Sequence, residues 1–433
     1  MSIQYAVMEK PNILYLHCHD AGRIVEPLYD GAITPNLKEL AERGMTFSNA
    51  HAACPTCSPS RASLLTGRSP HCSGMMGLAH LGYRFHSYKK HLVQRLRELD
   101  YSTVLAGIQH EAPLSEMIGY DRILVDRPNP DEICESVEEY FASRARTSQP
   151  FFLSVGIHQP HREKSTFPEG TERPMKEENT APLRGLLDGP ETRADTANYL
   201  NSITFMDFSV GRVLNSLQQS GLGENTLIVC TTDHGPPFPG MKCNLKDSGT
   251  GVYLFFSGPG VSKGKLNNEL VSHLDCFATI MEAAGGAPES DCEGFSLWPL
   301  LAEEKHSIRE CVFGEVNDHV DFEPMRSIRT KEFCFIMRLS KSLRPSLANC
   351  DAGLSRKFYK REGFFDRDHS RFELYDLDND PLETDNLAEN PEYGSICREF
   401  EERIVEHMRT TNDLVGYNLY GQNIRPINLK IAR

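Results

Sequence analysis

Cys54-Pro55-Thr56-Cys57-Ser58-Pro59-Ser60-Arg61-Ala62-Ser63-Leu64-Leu65-Thr66-Gly67 is the stretch from which the rest of the 433-residue chain can be read. Pro59 lacks an N–H that the first turn of a helix does not need, Ser60 through Leu65 supply a short helical run, and Gly67 can close it. Cys57 is therefore predicted at or just before a helix N-terminus. Free backbone N–H groups and the positive end of the helix dipole favour an anion there, and Arg61, one turn on, adds a fixed positive charge. These surroundings suit a reactive group that handles an anionic substrate. A buried apolar cysteine beside a surface arginine fits the local chemistry about as well.

Working outward, the apolar run at residues 12–16 ends in His17-Cys18-His19-Asp20-Ala21-Gly22. That order predicts a central parallel strand with polar residues at its carboxyl end, where open α/β sheets place their ligands. Asp20 is a suitable ligand for a hard divalent cation, with His19 as a neighbouring ligand or an outer partner. Simple packing of the histidines above the sheet is the structural alternative. Residues 226–232 form a second apolar run, delivering Asp233-His234-Gly235. Asp233 and His234 are the second half of a metal site, brought to the first half by sheet neighbourhood. A third run, residues 150–157, reads as a strand buried on both faces and ends in His158-Gln159-Pro160-His161-Arg162, a cluster suited to anion binding or proton transfer.

Helices are expected at 34–44, 88–99, 193–217 and 272–280, and further strands at 46–50, 102–107 and 251–257. Asp207 reads as a capping or surface charge and Asp275 as structural. Residues 163–193, rich in Pro, Glu and Gly, read as a long excursion over the active-site mouth. From about residue 309 the pattern changes to short strands, at 311–315, 325–329, 333–338 and 371–377.

Residues 57–61 and the Leu-Leu-Thr-Gly run after them resemble the Cys-x-Pro-Ser-Arg motif of type I sulfatases, in the alkaline-phosphatase superfamily. The resemblance extends to Asp233-His234-Gly235 and to the stretch 373–388. It implies an α/β fold with a large mixed, mostly parallel sheet flanked by helices and a smaller C-terminal antiparallel sheet, divided as 1–308 and 309–433. It also implies that Cys57 is oxidised to formylglycine by a formylglycine-generating enzyme. The hydrated aldehyde would offer one oxygen to attack sulfur and a second to help expel sulfate.

By the same resemblance Asp20, Asp233 and His234 hold a divalent metal, with His19 standing where a second aspartate is usual. Calcium is the family's metal, and a nitrogen ligand would admit Mn²⁺ or Zn²⁺ more readily. Gly107-Ile108-Gln109-His110 corresponds to a Gly-Lys-x-His-like segment, so His110 fits the histidine while Ile108 stands in place of a cation. His71, Arg84 and His86 are candidates to replace it. The segment 158–162 resembles N-sulfoglucosamine sulfohydrolases, which implies that His161 contacts sulfate or protonates the leaving group and that His158 and Arg162 bind the sugar. Gln159 replaces an aspartate there. Lys242 is the better match for a second sulfate-binding cation and Lys246 the reserve. Arg61 would hold the nucleophilic residue in place.

The expected substrate is a small sulfated sugar or an aryl sulfate. The alternatives are a phosphomonoester or phosphonate monoester hydrolase of the same superfamily, and a catalytically silent anion-binding homologue. With 46 Lys plus Arg against 60 Asp plus Glu, the formal charge of −14 argues against a nonspecific nucleic-acid binder. A metal and a few local cations can still reverse the field inside one cleft. No segment approaches the roughly 20 apolar residues needed to span a bilayer. Residues 1–11 lack a basic region followed by an apolar run, and thirteen cysteines lie without pairwise spacing, which predicts a reducing, cytoplasmic setting. The tail, 408–433, is expected to cover the cleft or a partner subunit, the latter making a homo-oligomer.

Overall fold

The computed structural model describes residues 10–127, 129–144, 147–168, 170 and 173–424. Most of the leader reading, and the tail beyond residue 424, lie outside these residues. Nine strands build the first sheet: β1 (Asn12–Cys18), β2 (Met45–His51), β3 (Ser102–Gly107), β4 (Arg122–Val125), β5 (Phe151–Gly156), β6 (Thr226–Thr232), β7 (Gly251–Ser257), β8 (Lys265–Asn267) and β9 (Val271–Ser272). Their order is β4-β3-β5-β1-β6-β7-β2-β8, with β9 also on β2. The run from β4 to β6 is parallel throughout, and β7 pairs antiparallel with both β6 and β2.

Helices cover both faces, which is why β1, β5 and β6 are mostly apolar runs with every residue buried. One face packs Leu14, Leu16, Leu153 and Val155 against Tyr199, Ile203, Met206 and Val210 of the helix Pro190–Gln219. The other packs Ile13, Phe152, Leu227 and Val229 with Phe277 and Ile280 of the helix Leu274–Ala283. The long helix starts three residues before the expected 193 because Pro190 opens its first turn. The expected helix at 88–99 is shorter, Leu92–Glu98, because the His91 side chain accepts the Val93 N–H and caps it there. Asp207 is buried and caps a different helix, Pro35–Arg43, by accepting the Asn36 and Leu37 N–H groups at 3.1 and 2.8 Å. No helix among the described residues is long and apolar enough to cross a membrane.

The second sheet is antiparallel: β10 (Val312–Asp318), β11 (Phe322–Arg329), β12 (Phe333–Arg338) and β13 (Phe372–Asp376), in sequential order. The described part of the tail carries the helix Leu414–Asn423, whose Leu419 and Tyr420 pack against the apolar cluster of the second sheet. The helix Gly394–Thr410 lays Cys397, Phe400, Ile404 and Met408 on Ile328, Phe335, Met337 and Leu374.

A charged network ties the second sheet to the short helix Pro70–Ser73 and to Asp413. His71 pairs with Glu315 on β10, and Arg326 on β11 bonds Asp413 at 2.6 and 3.0 Å with Glu315 3.8 Å away. All four side chains are at most about 5% exposed. Burial alone would raise the Glu315 carboxyl, but His71 and Arg326 hold it down to about 2; burial alone would lower His71, and Glu315 drives it up to about 11. Glu315 therefore stabilises the fold above its ordinary value of 4.5 and loses this as pH falls towards 2. His71 stabilises fully below 6.5 and loses this as pH rises towards 11. Glu315→Gln leaves His71 facing a neutral group and is expected to cost about 3 kcal/mol by urea denaturation near pH 6. The difference from the parent should shrink towards pH 3 and towards pH 10, and a pH-independent difference would refute the ion-pair account.

Candidate active site

Parallel pairing of β1 with β6 sets His17 opposite Thr231 and Cys18 opposite Thr232, so the two strands release His19-Asp20 and Asp233-His234 side by side. The backbone then locks them. Asp20 turns out of β1 at φ 50° and donates its N–H to Asp233 Oδ1 at 2.8 Å, while Gly22 N–H donates to the His234 carbonyl at 2.9 Å. Cys57 arrives from the start of the helix Cys57–Thr66, which Gly67 ends at φ 64° as its spelling predicted. Ser60 fixes this helix by donating its hydroxyl to the Asp233 carbonyl. One ligating atom from each of Asp20, Cys57, Asp233 and His234 lies within 4.8 Å of the others, all buried.

Asp20 Oδ1 is buried without a hydrogen-bond partner and sits 3.3 Å from His234 Nε2. Two carboxylates, one imidazole and a fourth group from residue 57, with an oxygen left unsatisfied, suit a divalent cation. Burial alone would raise the Asp233 carboxyl, yet His234 and Arg61 hold it well below the usual carboxylate range. Burial pushes the Cys57 thiol far up. Arg61 is 1% exposed, so the surface-arginine alternative fails. Its guanidinium bonds His17, the Cys18 carbonyl at 2.8 Å and Asp233 Oδ2 at 3.1 Å, holding the metal-site carboxylate and the end of β1 rather than gripping residue 57 itself.

Lys242 lies between two carboxylates, 3.3 Å from Asp20 Oδ1 and 3.3 Å from Asp351 Oδ2. Burial would lower its ammonium, and these two partners keep it charged. Opposite it stand imidazoles. His19 ring centroids lie 5.8, 5.4 and 5.3 Å from those of His110, His158 and His161. His110 reaches this group because Gly107 turns the chain at φ 89°, where a Cβ would stand 2.2 Å from the Gly156 carbonyl oxygen. Burial lowers His19 and His110 well below the ordinary histidine value and His158 to about 4, so these rings are neutral at neutral pH.

The family model "Sulfatase" matches residues 11–287. N-sulphoglucosamine sulphohydrolase of Homo sapiens is 30% identical over 462 residues, covering 93% of this chain and 90% of that protein. The chain belongs to the sulfatase family. A second relative of this sulfatase, an ulvan-active sulfatase of Formosa agariphila, is 28% identical over 444 residues, covering 96% of the chain and 83% of that protein. Among solved structures, a 2-O GAG sulfatase superposes with a TM-score of 0.72 at 22% identity, covering 96% of this chain and 94% of that one. The sulfatase is thus a hydrolase of the sulfate or sulfamate ester class, with Cys57 at the family's catalytic position beside a potential metal-binding site.

Two residues expected at the substrate are engaged elsewhere. Arg162 makes a two-pronged bond to Asp195 at 2.9 and 2.8 Å, its guanidinium stacked 3.8 Å over Phe167. Lys246 donates to the Glu383 carbonyl at 2.7 Å and lies over the Tyr375 ring, against the second sheet. Of the three candidates for the missing cation, His71 belongs to the Glu315 network, and Arg84 and His86 are exposed. His80, also exposed, has Nδ1 3.4 Å from His110 Nε2. Asp351 and His319, from the C-terminal part, were not anticipated; both lie in chain without a periodic signal. His273, which the sequence pattern places only at the start of a helix, stands with Nδ1 3.4 Å from the Ser60 hydroxyl.

Asp195→Asn removes the charge facing the buried Arg162 and is expected to destabilise the fold by about 3 kcal/mol in urea denaturation. A change below about 1 kcal/mol would show that this arginine is not held as the pair implies.

Proposed function

We propose that this sulfatase hydrolyses a sulfate ester or sulfamate on a small sugar, using a formylglycine made from Cys57 by a formylglycine-generating enzyme. The supporting observation is the convergence of residue 57 with Asp20, Asp233 and His234 at the ends of β1, β6 and the Cys57–Thr66 helix. The sugar assignment draws on the name of the human relative and on His158 and His161.

Hydrated formylglycine supplies two hydroxyls on one carbon, one to attack sulfur and one through which sulfate is later expelled. A divalent cation held by Asp20, Asp233 and His234, with calcium as the family's ion, supplies positive charge for the anionic substrate. The protein's own groups do the rest. Lys242 presents its ammonium to the sulfate oxygens, and Asp351 and Asp20 fix where that ammonium points. His161, whose Nδ1 lies 2.8 Å from the Arg162 carbonyl, keeps Nε2 free to deliver a proton to the departing oxygen or nitrogen. His110 stands ready to take a proton from the second hydroxyl of residue 57. Arg61 keeps Asp233 ionised and in register. His158 lines the sugar side, with Arg162 holding the segment behind it.

Peptide mass measurement is expected to find the aldehyde at residue 57 in protein made with the maturing enzyme. Activity from protein that keeps unmodified cysteine there would remove the diol mechanism. Lys242→Ala should lower kcat/KM for an aryl sulfate about 100-fold or more, with the fold unchanged by circular dichroism. Chelation should abolish turnover and a divalent cation restore it. Faster turnover of an aryl phosphate than of the matched sulfate would favour the phosphohydrolase alternative.

A further inference from the structure

Away from residue 57, the loop that follows β1, residues 183–185 and the segment 236–251 meet residues 359–384 of the C-terminal part around a groove of about 760 Å³. That volume lies within the roughly 300–1,000 Å³ of small-ligand sites. The floor is ionic. Arg23 pairs with Asp247 and donates to the Ala50 carbonyl at 2.8 Å, while its Nε is buried without a partner. Lys246 donates to the Glu383 carbonyl at 2.7 Å, and the Glu383 carboxylate takes Arg329 and the Asp247 N–H. Arg184 is exposed, its guanidinium 6.0 Å from the centre of the Tyr29 ring, and it makes no ion pair among the described residues. Three cations of the groove, Arg23, Lys246 and Arg184, therefore face two carboxylates, one of which Arg329 already answers. In a chain of formal charge −14 this is a local excess of positive charge. One wall is aromatic: the Tyr359 and Phe364 rings lie 5.3 Å apart at 74°, and the Phe364 and His369 rings 5.7 Å apart at 80°. A narrower cavity of about 40 Å³ shares Gly240, Asn244, Phe364 and His369 with the groove and reaches Lys242, so the groove backs onto the ammonium assigned above to the sulfate.

We propose that this groove is a second sugar site, holding an anionic unit of an oligosaccharide substrate outside the catalytic centre. The inference rests on the sulfated-sugar reading and extends it from a single sugar to a short chain. A guanidinium offers paired N–H donors to a sulfate or carboxylate group. Aromatic rings supply apolar surface on which the C–H face of a pyranose packs, and a few placed polar groups beside them fix its orientation. A bare anion would leave the ring wall unused, and a neutral glycan would leave the cations unused. An anionic sugar uses both. Arg184 is the cation least committed within the protein and is the expected contact for the anion. Arg23 and Lys246, tied to Asp247 and to the Glu383 carbonyl, set the field beneath it.

The test is titration calorimetry of the full-length protein with a heparin-derived tetrasaccharide, in a Lys242→Ala background that weakens the catalytic centre. The tetrasaccharide is expected to bind this protein, and adding Arg184→Glu or Phe364→Ala is expected to weaken it about 10-fold or more, with circular dichroism unchanged. Arg184 is exposed, so its variant probes the groove without disturbing the packing. Failure of the tetrasaccharide to bind Lys242→Ala overturns the proposal by placing all the affinity at the catalytic centre. Unchanged affinity in either double variant overturns it as well. Inorganic sulfate that binds as tightly as the tetrasaccharide overturns the sugar assignment, whereas a desulfated tetrasaccharide that binds equally supports it and gives the anion's place to the uronic carboxylate. Binding is read without turnover, so a protein that holds the tetrasaccharide here but releases no sulfate from any sulfated sugar would fail the proposed reaction and leave the groove standing.

Discussion

One carboxylate, Asp233, fixes the geometry on which the active site depends. It accepts N–H groups from Asp20 and His234, the guanidinium of Arg61 and the approach of His19, so both strand ends and the helix behind residue 57 meet on its two oxygens. In a water-excluded site such a network holds only if every member is matched, because each unpaired charge would cost several kcal/mol. Arg61 offsets the charge of Asp233 and Lys242 that of Asp20, while Asp20 Oδ1 still lacks a hydrogen bond. The protein has thus built two carboxylates into its interior, each beside a side-chain cation.

The sequence carried the strands that place this site because buried parallel strands are continuous apolar runs, and β1, β5 and β6 are spelled that way. The turn into the Cys57 helix was legible from Pro59 and Gly67, whose backbone restrictions are local. What could not be read was long-range charge pairing. Arg162 and Lys246 look like substrate ligands by their neighbours in sequence, but Asp195 lies 33 positions from the first and the Glu383 carbonyl 137 from the second. The same holds for Asp207, whose capping role was visible but whose helix, some 170 residues earlier, was not. Short strands such as β4, β8 and β9 carry too few residues for a period to register.

The imidazole wall was half visible. His19, His110, His158 and His161 each stood out at a strand end, while His80 had no strand to announce it and joins through a short turn. Strand ends converge in parallel sheets, so residues that finish three different strands become neighbours without any spacing rule in the chain. Loops that leave the second sheet add Asp351 and His319 beside Lys242, with His319 Nδ1 buried and unpartnered.

The position of Lys242, midway between Asp20 and Asp351, has a consequence for how such an enzyme can diversify. A loop that grows from the small sheet sets half the charge around an ammonium whose other half belongs to the metal carboxylate. Replacing the C-terminal lobe to suit a new substrate would therefore retune the ionic balance at Asp20 along with the fit of that substrate. The lobe is less an exchangeable specificity cassette than a counterweight, and recombination between relatives should succeed where the Lys242 and Asp351 partners travel together.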